Sequence, residues 1–281
     1  MCRFCIYLGD EIEIADITTR HEDSIINQSF DAKHGRSLNG DGFGIGWYGK
    51  KKNPGQFRSI SPAWNNPNLR NLSEHIRSGC ILVHVRAATP GLPVIFVNNH
   101  PFMMNNVMMV HNGSLGGFLR YKQDFIALLD KPFYQKVEGS TDSEHLFALI
   151  MTYFKNGGDD NSSSWCERME KAIKMAFLDV KRLTNQDEAC ELNIAISNGE
   201  HAVATRFTIN TDRELSLYYR QSNGIELADK KLIFKNQGSR KSLFISSEPL
   251  DKDENLWTEV EDNSILLNDK TKDLIVHSLN I

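Results

Sequence analysis

A cysteine directly follows the initiator methionine in this chain of 281 residues, within the run Met1-Cys2-Arg3-Phe4. Cysteine is small enough for the methionine to be trimmed, which would leave Cys2 with a free α-amine beside its thiol. Such a residue carries nucleophile and base on one backbone unit: the sulfur attacks a carbonyl and the amine takes the thiol proton. An α-amine titrates near pH ~8, which suits a general base, and a thiol near ~8.5 needs only modest help to become thiolate. Read alone, a small second residue is commonplace and carries no chemistry. Three further places bear on the choice: Arg86, Asn112-Gly113 and Asp142. An arginine closing an apolar strand delivers a guanidinium to a cleft or simply reaches solvent. Asn-Gly is usually a turn. Asp142 serves a site, or only stabilises a helix N-terminus by ~0.3–1 kcal/mol.

The elements that would have to position these residues follow from pattern. Residues 2–8 alternate loosely and predict a strand. Residues 20–42 are polar and irregular, long for a structureless loop, and are expected to pack against a site. Asn39-Gly40-Asp41-Gly42-Phe43-Gly44-Ile45-Gly46 places four glycines in seven residues ahead of a strand. No helix follows, so this is not a phosphate-binding loop; the backbone there needs positive φ or a close approach to another segment. Asn53-Pro54-Gly55 turns the chain into a second strand near 57–60. Asn66-Pro67 starts a helix with an Asn cap and Pro at its first position, expected to run to Ser78-Gly79. A buried-type strand follows from Cys80 to Arg86, and another from Met108 to Gly113. Residues 115–129 predict a helix. Thr141 and Glu144 have the spacing of a capping box for the next one. Ser163 or Ser164 caps a long helix to about Leu183, with Trp165, Met169, Ile173 and Phe177 on its buried face. Strands follow at 192–197, 202–207, 215–219, 242–247, 257–260 and 265–267, with Asn198-Gly199 as a hairpin turn. Without repeat, linker or low-complexity tract, the pattern predicts one α+β domain over residues 1–281.

Bulk composition excludes several classes. Thirty-two bases against 36 acids give a net charge of −4, so no basic face for nucleic acid is expected. No apolar run approaches the ~20 residues of a membrane span. The apolar stretch at the start is too short for a signal peptide, so a cytoplasmic location is expected. Five cysteines, odd in number and scattered, argue against a disulfide framework. Cys2 and Cys5 do form C-x-x-C. A zinc site would want a second pair, and a redox pair a strand-to-helix junction; neither is present, and the expected metal complement is none.

Taken together, these positions resemble the class II glutamine amidotransferases, a family of N-terminal-nucleophile hydrolases. The resemblance rests on Met1-Cys2-Arg3-Phe4, Gly40-Asp41-Gly42-Phe43-Gly44, His84-Val85-Arg86-Ala87-Ala88-Thr89, Asn99-His100-Pro101-Phe102, His111-Asn112-Gly113 and Gly139-Ser140-Thr141-Asp142-Ser143-Glu144. Ser247-Glu248-Pro249-Leu250 and Trp257 are similar to the tail of the stand-alone branch. That branch includes an amidotransferase-like subunit of a fungal glutathione-degrading complex and a γ-glutamyl amidase of ergothioneine synthesis. Residues 24–30 and Ala63-Trp64-Asn65-Asn66 favour the first. The resemblance implies an αββα sandwich of two antiparallel sheets between helix layers, with no cofactor. It implies that Cys2 attacks the δ-carbonyl of a γ-glutamyl amide. The Asn112 side chain and Gly113 N–H would form an oxyanion hole, with ~3–4 kcal/mol from each good donor. Arg86 would clamp the substrate α-carboxylate, Asp142 would pair with its α-ammonium, and Thr89 would sit in a loop closing over the glutamyl group. His84, His100 and His111 are expected to have structural roles.

Two positions depart from the ammonia-channelling members. Ala87 stands where they carry an aromatic and Pro90 where they carry a histidine, which weakens a channelling role. The implied partners are a small γ-glutamyl substrate and a candidate protein subunit, with neither nucleic acid nor membrane. The readings left open are hydrolysis of a γ-glutamyl peptide, supply of ammonia from glutamine to a separate synthase, and a catalytically silent γ-glutamyl-binding subunit.

Overall fold

The first strand starts one residue after Cys2 and runs further than expected, from Arg3 to Glu13 (β1), and everything in its unit is laid out around it. The structure, a computed structural model, describes residues 2–31, 38–51, 53–88, 93–158, 163–184, 188–211, 215–235, 237, 242–269 and 274–281. Arg3 to Leu8 are buried without alternation, as a central strand covered on both faces requires. The polar stretch after it holds two single-turn helices, α1 (Ala15–Thr18) and α2 (Ile25–Gln28). The expected hairpin is β2 (Phe43–Tyr48) with β3 (Gly55–Ser59). Helix α3 (Pro67–His75) starts as predicted, the Asn66 side chain accepting from the Leu69 N–H at 2.8 Å. It ends earlier than expected, because residues 77–79 already belong to β4 (Arg77–Val85).

β5 (Phe102–Met104), which sequence pattern did not reveal, pairs with β6 (Val107–Leu115). Helices α4 (Phe118–Ala127) and α5 (Lys131–Tyr134) lead to α6 (Asp142–Asn156) and α7 (Trp165–Leu183). Thr141 caps α6 by accepting from the Glu144 N–H, and Ser164 caps α7 with a full capping box at Glu167. Then come β7 (Cys190–Ser197), β8 (Ala202–Arg206) and the short β9 (Thr208–Ile209). The chain returns through β10 (Tyr218–Ser222), the unforeseen hairpin β11 (Ile225–Ala228) and β12 (Lys231–Phe234), β13 (Ser242–Ser246) and β14 (Thr258–Glu259). It closes with β15 (Ser264–Asn268) and β16 (Ile275–Ser278).

These elements form two compact units. The first, Met1–Pro101 with Ser216–Val260, holds a sheet in the order β14-β10-β13-β1-β4-β2-β3 and the separate β11-β12 ribbon. Its core gathers Ile14, Ile17, Ile25 and Leu69 from the helices with Tyr7, Val83 and Phe244 from the sheet. The second, Phe102–Leu215 with Glu261–Ile281, holds the order β16-β15-β8-β7-β6-β5, with β9 added to β7. Phe147 and Ile150 of α6 and Met169, Ile173 and Phe177 of α7 fill its core, while Trp165 is only half-buried. Each such buried side chain contributes about 1.5–3 kcal/mol. Every pairing is antiparallel and helices accompany both sheets, so the fold class is the expected α+β. Among the described residues, no helix is long and apolar enough to cross a membrane.

Candidate active site

In the first unit, sheet register sets the nucleophile. Arg3 pairs with Val85 across β1 and β4, so Cys2 lies beside Arg86 and Ala87, just past the end of β4. The Ala87 N–H donates to Cys2 Sγ at 3.4 Å, and the thiol faces the Ala87 carbonyl at 3.5 Å. Burial pushes the Cys2 thiol up from its ordinary pKa; the Ala87 N–H and the Arg86 and Arg3 charges pull it back only in part. The resting side chain is therefore a thiol, and the chemistry needs a base to take its proton.

Arg86 is only 4% exposed. Its Nη2 reaches the Pro93 carbonyl at 3.4 Å, and its buried Nη1 has no hydrogen-bond partner among the described residues. A buried donor on a cation left without an acceptor is costly, and an anionic ligand group would relieve it. The backbone here is fixed by Arg86 N–H to the Gly42 carbonyl at 2.9 Å and Asp41 N–H to the Arg86 carbonyl at 3.1 Å. The Asp41 carboxylate accepts from the Ala88 N–H at 2.8 Å. The glycine-rich run thus serves the expected close approach: a Cβ on Gly44 would collide with the His100 carbonyl. Sequence reasoning quoted Asp41 as part of a motif but gave it no role.

It also missed the clamp behind the nucleophile. Arg3 donates from Nε to Glu248 Oε1 at 2.6 Å and from Nη1 to the Cys2 carbonyl at 3.0 Å, with Glu248 fully buried. Ser247 donates its N–H to the Phe4 carbonyl at 3.0 Å, and its Oγ accepts from Phe4 N–H at 3.1 Å. A buried ion pair between a residue adjoining Cys2 and one near position 248 was not visible as a motif. The signal was a charged residue, Arg3, at the head of the apolar run Phe4 to Leu8.

The second unit holds the other predicted residues. Asn112-Gly113 is no turn: both lie inside β6, opposite Asn193 and Leu192 of β7. The pairing with β7 overrides the local turn preference. Gly113 has φ +147°, and a Cβ there would collide with the Glu191 carbonyl. The Asn112 side chain is 3% exposed, and its buried Oδ1 has no partner among the described residues. Asp142 opens α6 and is tied back to β6, its Oδ2 accepting from the Leu115 N–H at 2.7 Å. Its Oδ1 accepts from the Ser143 N–H at 2.7 Å. Ser143 Oγ stands between Asp142 Oδ1 at 3.2 Å and His111 Nδ1 at 2.8 Å. His111 Nε2 is 3.0 Å from the Glu191 carbonyl, which can only accept, so Nε2 carries the proton. Burial holds the His111 pKa down, so the ring stays neutral. Ser143 Oγ donates to Asp142 Oδ1, so both Asp142 oxygens accept a hydrogen bond within this unit.

Thus Cys2 and Arg86 are together in the first unit, Asn112, Gly113 and Asp142 in the second, and Thr89 lies outside the described residues. His84 and His100 are buried with ring centroids 4.1 Å apart, which fits the expected structural role. All five cysteines are free, and the Cys5 thiol is fully buried, its pKa pushed up to about 12 by burial, which makes it inert rather than half of a redox pair.

A cysteine at the head of a central strand and an arginine with a spare donor beside it thus sit on an α+β fold of two antiparallel sheets. The family model for class II glutamine amidotransferases matches residues 19–276. The "Probable glutamine amidotransferase DUG3" of Saccharomyces cerevisiae is 33% identical over 290 aligned positions, covering 95% of this chain and 81% of the yeast protein. A γ-glutamyl-hercynylcysteine sulfoxide hydrolase from Mycolicibacterium smegmatis is 26% identical, covering 95% of each chain. The solved structure of a class II glutamine aminotransferase domain protein from Silicibacter pomeroyi superposes with a TM-score of 0.68 at 26% identity, over 99% of this chain and 98% of that one. The chain belongs to the class II glutamine amidotransferase family.

Proposed function

We propose that the protein hydrolyses the γ-glutamyl amide bond of a small peptide-like substrate through a Cys2 thioester and releases glutamate. The observation that carries this reading is the buried Arg86 guanidinium, whose charge acts on the Cys2 thiol and whose Nη1 has no partner among the described residues. An α-carboxylate would satisfy it and set a fixed distance from carboxylate to nucleophile. With Met1 removed, the Cys2 α-amine takes the Sγ proton as sulfur adds to the δ-carbonyl. The developing oxyanion is held by the Asn112 amide and the Gly113 N–H. Collapse expels the leaving amine, which takes the proton from the α-ammonium. Water, deprotonated by the same amine, then cleaves the thioester to glutamate and regenerates the thiol. Asp142 receives the substrate ammonium.

On this reading residues 1–281 act as one catalytic domain in the cytoplasm, on a small γ-glutamyl substrate and with a protein partner where the fungal likeness holds. A peptide substrate is favoured over ammonia supply by Ala87, where channelling members carry an aromatic, and by the hydrolase similar in sequence that acts on a γ-glutamyl-cysteine derivative. The test is glutamate release from glutathione and from free glutamine, by protein whose intact mass shows Cys2 as the first residue. Release from glutathione well above that from glutamine is expected. The reverse preference would make the protein an ammonia donor, and release from neither, with or without a partner, would favour a silent binding subunit.

A further inference from the structure

A second cluster of ligating side chains lies wholly within the second unit and has no part in the proposed reaction. Cys166 is the second residue of α7, just inside the Ser164 capping box. His201 follows the Asn198-Gly199 turn and leads into β8. Asp269 follows β15, whose Asn268 pairs with Ala202 of β8, so the strand register itself sets Asp269 beside His201. Cys166 Sγ, a His201 ring nitrogen and an Asp269 carboxylate oxygen all lie within 4.8 Å of one another. His201 Nδ1 is 3.5 Å from Asp269 Oδ1, and Cys166 Sγ is 3.5 Å from the Asn268 carbonyl oxygen.

We propose that Cys166, His201 and Asp269 bind a zinc ion. Tetrahedral zinc with bonds of about 2.0–2.3 Å to nitrogen, oxygen and sulfur separates its donor atoms by roughly 3.3–3.8 Å. The His201–Asp269 separation and that from Cys166 to the Asn268 carbonyl already have that value, and the three side-chain donor atoms lie no more than 4.8 Å apart. The donor set is one thiolate, one imidazole and one carboxylate, which selects zinc over the oxygen-seeking magnesium and calcium. The Asn268 carbonyl, 3.5 Å from Cys166 Sγ, is a candidate for the fourth position. Charge also fits: a thiolate and a carboxylate balance a divalent cation, so no net charge is buried, and the thiolate sits at a helix N-terminus that favours negative charge. Cys166 and Asp269 are buried while His201 keeps partial exposure, which gives the ion a route in. Binding displaces the Cys166 proton to solvent, so affinity rises with pH. The ion would pin the head of α7 to the adjoining ends of β8 and β15, residues far apart in sequence.

The test is titration of the metal-free full chain with cobalt(II) as a spectroscopic stand-in for zinc. One equivalent is expected to give a thiolate-to-cobalt charge-transfer band with tetrahedral visible bands, all displaced by zinc. C166S should abolish the charge-transfer band, whereas C2S should keep it. H201N and D269N should each weaken binding more than about tenfold, and zinc should raise the wild-type Tm but not that of H201N. Absence of the charge-transfer band at micromolar protein, its survival in C166S, its loss in C2S, or unchanged affinity in both H201N and D269N would overturn the proposal. None of these readouts depends on amidase activity.

Discussion

Arg86 concentrates the argument at the scale of single residues. Its guanidinium is buried, its Nη1 has no acceptor among the described residues, and it acts electrostatically on Cys2. R86A is expected to lower kcat/KM by about 30- to 1,000-fold, the usual range for removing one member of a desolvated charge pair, mostly through KM. R86K should recover only part, because an ammonium cannot make the two-pronged contact. Loss confined to kcat, with KM unchanged, would remove Arg86 from substrate holding. The Cys2 thiol pKa is raised chiefly by burial, so less thiolate is present at neutral pH than for a free cysteine. Iodoacetamide alkylation of Cys2 should accordingly be slow at neutral pH, rise with pH, and lag further in R86A. Rapid labelling in mildly acidic buffer would contradict this. Arg3 and Glu248 form a buried ion pair that also holds the Cys2 carbonyl. E248Q should lower kcat by roughly ten- to a hundredfold with little change in KM, as a misplaced nucleophile does. E248A should in addition destabilise the fold by about 3–5 kcal/mol, read by denaturant unfolding.

At the scale of elements, β6 shows pairing overruling local preference. Asn112-Gly113 alone favours a turn, yet its register with β7 keeps both residues in a strand, and a Cβ at Gly113 would strike the Glu191 carbonyl. G113A should destabilise by several kcal/mol, above about 3, or yield insoluble protein; a wild-type Tm would show that β7 can move aside. The stretch between α1 and α2 carries a different kind of strain. His21 is buried, and neither ring nitrogen has a partner among the described residues. Burial lowers its pKa from 6.5 to about 4. The unfolded chain therefore binds the proton more readily. The stability linked to this group is fully present above pH 6.5 and is lost as pH falls toward 4, by about 3 kcal/mol in all. H21F should remove that dependence, so its Tm should fall less than the wild type's between pH 7 and about pH 4.5. Parallel Tm profiles for the two proteins would show that His21 does not set the acid limit.

At the scale of the whole molecule, sequence and tertiary structure answered different questions. The sequence determined the local units. Helix starts at Asn66, Thr141 and Ser164 were legible because capping chemistry is confined to one turn. Central strands such as β1 and β4 were legible because burial on both faces leaves apolar runs, Phe4 to Leu8 and Cys80 to Val83. The family was legible because the motifs around Cys2, Arg86, Asn112-Gly113 and Asp142 keep their spacing without coordinates. The short edge strands β5 and β16 and the β11-β12 ribbon were not, since a few half-exposed residues carry no period. Only tertiary structure decided what meets what. Hydrogen-bond register across β1 and β4 brought Arg86 beside Cys2, and a return of the chain 245 positions later brought Glu248 onto Arg3. Register between β8 and β15 likewise set His201 beside Asp269, and α7 brought Cys166 to them, residues that no spacing rule connects. The physical reason is the same in each case: capping, turns and periodicity act over a few residues, whereas burial of charge and sheet register are settled between segments whose separation along the chain is arbitrary.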